Sequence, residues 1–135
     1  MVKLIVGLKG TGKTKTLIAK VNEALDVSKG SVVCLEKGDK LRFDIKYQAR
    51  LIDVAEYAVA DANGLKGFVA GLHASNSDIT HIFIDSALKI CGDDVAAFEE
   101  FVPVLEALGA KWNIEIVMTS SIAEADLPES LKKYL

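Results

Sequence analysis

Cysteine, histidine and arginine are all scarce in this chain, and each shortage removes a class of function. Cys34 and Cys91 are its only cysteines. Two thiols so far apart in sequence give neither a disulfide framework nor a zinc-ligand spacing, and they read as reduced, buried side chains. His73 and His81 have no ligand-type residues beside them. No apolar run approaches the roughly 20 residues that a membrane helix needs. Ahead of Gly7 the apolar stretch is only Leu4-Ile5-Val6, too short for the core of a signal peptide. The expected location is therefore the cytoplasm, away from membranes. The basic excess typical of nucleic-acid binders is also missing. Lys and Arg total 16 against 19 Asp and Glu, a net charge of −3. Overall charge thus speaks against a nucleic-acid partner, although a local basic face stays open. No repeat, low-complexity tract or linker interrupts the sequence.

What remains is the composition of a folded protein. Half of the 135 residues are hydrophobic and 26% are charged. This length buries a sizeable core, so residues 1–135 are expected to form one domain.

Apolar periodicity sets out the elements. Leu4-Ile5-Val6 reads as a buried strand. Leu17, Ile18, Val21 and Leu25 recur near 3.6 residues and predict a helix from Thr14 to Leu25. Gly30 in Ser28-Lys-Gly30 is expected to end it in a left-handed conformation. Ser31–Leu35 is a short continuous apolar run, suited to a strand covered on both faces. From Lys40 to Tyr47 the pattern alternates, with Leu41, Phe43, Ile45 and Tyr47 between polar residues, and predicts a strand or hairpin arm with one wet face. Arg50–Val54 is a further candidate strand.

Asp61 is placed to cap a helix running to about Ala74. Gly64, Gly67 and Gly71 within it suggest a face pressed against a neighbouring backbone, or a loop through Gly64. Thr80–Asp85 is the next strand. A helix follows from Asp93-Asp94 with Val95, Phe98, Val102 and Leu105 on its apolar face, kinked or split near Val102 by Pro103. Asn113–Thr119 is a fourth core strand. Asp126-Leu-Pro-Glu129 fits a capping box for a terminal helix to Tyr134. Strands alternating with helices predict a three-layer α/β/α fold around a mostly parallel sheet of four to five strands.

Between the first strand and the first helix stands Gly7-Leu8-Lys9-Gly10-Thr11-Gly12-Lys13-Thr14, a complete G-x-x-x-x-G-K-[ST] run. With glycine at about 7% of average usage, a chance match in so short a chain is on the order of one in a few hundred. A glycine-rich turn lets consecutive backbone N–H groups point into a concavity, and the helix N-terminus adds partial positive charge. Gly7 to Lys15 are the expected phosphate-binding residues. Lys13 is placed to reach the β- and γ-phosphates, and the Thr14 hydroxyl to ligate Mg²⁺.

On these residues the chain resembles the P-loop NTPases, in which the run is the Walker A motif. Ile82-Phe-Ile84-Asp85 is similar to a Walker B strand, which implies Asp85 as the carboxylate of the magnesium shell. Thr119 and Ser120 end the fourth core strand, where such proteins often keep a polar residue sensing the γ-phosphate. The form most resembled is a small RecA-like domain with an additional strand. In that family the strand 113–119 lies between the P-loop strand and the Walker B strand.

Three departures qualify the resemblance. The residue after Asp85 is Ser86, where many such ATPases keep the glutamate that activates water. Glu36, at the end of the strand after the P-loop helix, is the expected substitute as catalytic carboxylate, with Asp39 a weaker one. No N-K-x-D run specifies guanine, and no ABC-type signature precedes the Walker B strand. Mg²⁺-ATP is thus the expected ligand by default.

Arg42 and Arg50 are the only arginines. They serve as an arginine finger, act on a neighbouring subunit, or solvate an exposed face. The basic cluster at 37–50 also suits a phosphorylated partner or nucleic acid, with Phe43 and Tyr47 as its only aromatic residues.

The resemblance leaves three readings of function. One is a slow ATPase, acting alone, with a protein partner or as a homo-oligomer. Another is a small-molecule or nucleoside kinase, since 37–42 faintly resembles a turn of thymidine kinases, whose zinc-binding cysteines are absent here. The last is a nucleotide-dependent switch without turnover.

Overall fold

Parallel strands cannot be joined by tight turns, so each must be followed by a crossover, and helices end up on the faces of the sheet. The computed structural model, which describes all 135 residues, follows that rule. Its order is β1 (Val2–Gly7), α1 (Lys13–Val27), β2 (Ser31–Glu36), β3 (Arg50–Asp53), α2 (Ala62–Ser75), β4 (Ile79–Ile84), the single turn α3 (Ala87–Ile90), α4 (Val95–Trp112) and β5 (Glu115–Ser121). Short 3₁₀ segments occupy Val54–Tyr57, Glu124–Asp126 and Glu129–Tyr134.

The five strands run in the order β1-β5-β4-β2-β3, and every pairing is parallel. β5 lies between β1 and β4, the placement the resemblance implies. Alternate residues of β2 feed two apolar layers. Val33 and Leu35 join Phe98, Leu105 and Leu65 on the side of α2 and α4. Val32 and Cys34 join Leu17 and Val21 of α1 on the other. Both cysteines are buried and free, and burial pushes each thiol up to about 12. No helix is long and apolar enough to cross a membrane.

Several expectations need correction. Residues 40–47 form no strand but a series of turns, in which the Ile45 N–H donates to the Leu41 carbonyl. Every fourth residue is buried there (Leu41, Ile45, Ala49), so Phe43 and Tyr47 face outward. α1 ends at Ser28 in an extended conformation, not at a left-handed Gly30. Gly30 is needed for space, because a Cβ there meets the Asp78 carbonyl oxygen at 2.0 Å.

The helix capped by Asp61 forms as expected, its carboxylate accepting from the Gly64 N–H at 2.7 Å. Gly67 and Gly71 face open space, however, not a close neighbour. α4 runs unbroken through Pro103. That proline is exposed, so water can serve the carbonyl it leaves without a donor. Asp126 makes no capping bond, and the terminal turns are 3₁₀, entered from Pro128.

Candidate functional site

The loop between β1 and α1 opens at the carboxyl edge of the sheet, where open α/β sheets bind their ligands. Gly10 and Gly12 take φ of +87° and +84°, a region closed to most side chains. The turn is closed internally, with Thr11 Oγ1 donating to the Leu8 carbonyl at 2.7 Å. Lys13 Nζ donates to the same carbonyl at 3.0 Å.

Gly12 then starts α1 without any side-chain cap, and no acidic residue stands in its first turn. Lys13 and Lys15 stand there instead, against the preference of the helix dipole. α2 and α4, by contrast, are capped by Asp61 and Asp94. The start of α1 thus carries positive charge with no side-chain cap to offset it.

β4 delivers Asp85 to this loop. Thr14 Oγ1 donates to Asp85 Oδ1 at 3.2 Å, and Thr119 Oγ1 donates to the same oxygen at 2.8 Å. Thr119, only 1% exposed, also accepts from the Ser86 N–H at 2.8 Å. Ser86 itself holds a left-handed φ of +56°, which places residues 85–87 as a sharp corner between β4 and α3. Ser120 Oγ accepts from the Leu88 N–H at 3.2 Å, fixing α3 to β5.

These groups line a cleft of about 450 Å³. Lys9, Gly10, Gly12, Lys13, Thr14 and Lys15 form one wall. Asp85, Ser86, Lys89, Thr119 and Ser121 form the floor and far side, and Lys40 and Leu41 close it from β2's trailing turn. Five lysines stand against one carboxylate, so the cleft suits a polyanion. A smaller cleft of about 350 Å³ between α2 and α4 has the opposite character, with Asp61, Asp94 and Glu100 against Lys66.

Glu36 lies behind the wall, not in it. It is 2% exposed, and its two oxygens accept from the Lys40 N–H and the Leu41 N–H, each at 3.1 Å. Burial raises its pKa above the ordinary carboxylate value. The Leu41 and Lys40 N–H groups work against that rise, while the charges of Asp85 and Asp39 add to it. Its visible work is to fold the turn that carries Lys40 and Leu41 over the cleft. Arg42 pairs with Asp39 at 3.2 Å, and neither Arg42 nor Arg50 lines the cleft.

Of the residues expected at the site, Lys9, Gly10, Gly12 to Lys15, Asp85 and Thr119 meet in one cleft. Lys89 and Ser121 escaped the sequence reading. Lys89 sits one turn beyond Asp85 on α3, a helix too short to leave a periodic signal. Ser121 was hidden in the Thr-Ser-Ser run closing β5. No three His, Cys, Asp or Glu side chains converge to hold a metal by themselves. A cation here needs oxygens from the Thr14 hydroxyl, Asp85, water and the ligand, a hard-oxygen set that fits magnesium.

No family model matches the chain, and neither does any curated protein. What the fold and the cleft define together is an α/β domain with an all-parallel sheet and a lysine-lined cleft at its carboxyl edge.

Proposed function

We infer that the chain is a P-loop domain that binds a magnesium-nucleoside triphosphate, ATP by default, and turns it over slowly. One observation carries this reading: Thr14, in the first turn of α1, and Asp85, just past the end of β4, share a hydrogen bond at 3.2 Å. The hydroxyl and carboxylate that such a domain uses around magnesium are thus already side by side. In the bound state, Thr14 and Asp85 would hold Mg²⁺, which would neutralise phosphate charge. The loop N–H groups and Lys13 bind and orient the phosphates. Thr119 fixes Asp85, and Lys40 and Lys89 add positive charge from the opposite walls.

A second reading, a nucleotide-dependent switch without turnover, is favoured by the acids. Asp85 is the only carboxylate lining the cleft, Ser86 follows it, and both oxygens of Glu36 are already bonded to backbone. A water-activating base therefore requires Glu36 to leave the turn it holds. A kinase stays a third reading, distinguished by phosphate loss that depends on an acceptor.

The test is calorimetric titration with Mg²⁺-ATP and Mg²⁺-GTP, with Lys13→Ala alongside. A lost charge-assisted bond to phosphate is worth about 1.5–3 kcal/mol, so the variant is expected to bind about 10- to 150-fold more weakly while melting like the wild type. Equal affinity in a folded Lys13→Ala protein defeats the assignment. Phosphate release without an acceptor then separates slow ATPase from switch.

A further inference from the structure

The turn segment that closes the nucleotide cleft also carries the two most exposed large apolar side chains of the protein. Phe43 is 86% exposed and Tyr47 92%. Their exposure is enforced by the anchoring of their neighbours. Leu41, Ile45 and Ala49 are buried with Leu17 and Val21 of α1, and Glu36 clamps the segment's start through two backbone N–H groups. The platform is therefore held rigid from beneath while its outer face stays wet.

The charge on that face is lopsided. From Asp39 to Arg50 there are four basic side chains (Lys40, Arg42, Lys46, Arg50) and two acids, Asp39 and Asp44, in a chain of net charge −3, and Asp39 pairs with Arg42. All six are exposed. The Arg42 guanidinium lies over the Phe43 ring, 4.7 Å from its centre, so the cation sits against one face of the ring and the other is left for a base. Exposed aromatic faces interleaved with cations suit a flexible polyanion whose rings can stack, which a duplex, with its bases already paired, does not offer.

We propose that residues 42–50 form a docking strip for single-stranded nucleic acid, with phosphates on Arg42, Lys46 and Arg50 and bases stacked on Phe43 and Tyr47. Lys40, at the root of the strip, lines the nucleotide cleft, so strand and nucleotide meet the same turn from opposite sides. The strip stands on its own exposure and charge, independent of the nucleotide reading.

The test is fluorescence anisotropy, without nucleotide, using labelled oligothymidylate and oligouridylate of about 20 nucleotides, longer than the roughly 4–16 one platform occupies. A duplex of the same length and anionic phosphatidylglycerol vesicles complete the set. The strip predicts tighter binding to single strands than to duplex, weakening as salt rises. Phe43→Ala with Tyr47→Ala is expected to weaken it at least about tenfold, with the melting curve and Mg²⁺-ATP affinity unchanged, because both side chains project into solvent. Arg42→Ala with Lys46→Ala is expected to cut the salt slope by about 1.4, at roughly 0.7 per phosphate. The proposal is overturned by any of four results: no single-strand binding at low salt, equal binding to duplex, full affinity in the aromatic double variant, or binding to vesicles alone.

Discussion

Thr14 and Asp85 stand 71 positions apart in sequence and meet at 3.2 Å, hydroxyl to carboxylate. The contact is a product of strand order. With β5 between β1 and β4, the loop after β1 and the end of β4 reach the same edge of the sheet, and Thr119 of β5 bridges them through Asp85 at 2.8 Å.

Asp85→Asn tests what that carboxylate is for. The amide keeps an oxygen to accept from Thr14 and Thr119, so the fold is expected to persist. The charge that would hold magnesium is lost. Nucleotide affinity in the presence of Mg²⁺ is predicted to fall at least about tenfold, or about 1.4 kcal/mol, while affinity measured with chelator changes little. An undiminished magnesium effect in the variant contradicts the role given to Asp85.

Glu36 makes stability depend on pH. Burial lifts its pKa above the ordinary carboxylate value in the folded protein, so the native state holds this proton more tightly than the unfolded chain. The stabilisation from that proton is fully present below the ordinary value of 4.5. It is lost as pH rises through the raised one. Across that interval the melting temperature of the wild type is expected to drop relative to that of Glu36→Gln, which has no proton to lose. Parallel melting profiles for the two proteins would show that the turn does not feel this ionisation.

The glycines divide into those that are needed and those that are not. Gly30→Ala drives a methyl into the Asp78 carbonyl at 2.0 Å and is expected to cost more than about 2 kcal/mol. Gly67→Ala and Gly71→Ala meet nothing within 4 Å on the exposed side of α2, and each is expected to stabilise by about 0.5–1 kcal/mol. Urea denaturation reads all three. Destabilisation by the α2 variants would point to a contact on that face.

Much of this was legible because the core strands are continuous apolar runs and the helices carry clear 3.6-residue faces. Asp61 and Asp94 marked helix starts correctly for the same local reason: a short carboxylate can reach an N–H two or three residues on. The segment 40–47 was misread for a definite cause. Leu41 and Ile45 satisfy a period of two and a period of four equally. The residues that decide, Phe43 and Tyr47, are apolar yet exposed, while the third anchor, Ala49, is small enough to pass as neutral. Pro103 misled because sequence shows a missing donor and does not show that water reaches the gap. In the site, the glycine loop stood out by its spacing, and the resemblance pointed to Asp85, which lies beside Thr14. The engagement of Glu36 with the Lys40 and Leu41 N–H groups was not legible, since it depends on how a turn folds back.

The measurement that bears most directly on the central claim is a series of amide ¹H–¹⁵N spectra recorded as Mg²⁺-ATP is added. The account predicts that shifts concentrate in the loop Gly7–Lys15 and at Lys40, Leu41, Asp85, Ser86, Lys89 and Thr119, around one cleft. Shifts confined to the acidic cleft between α2 and α4, or a spectrum that does not move, would contradict it.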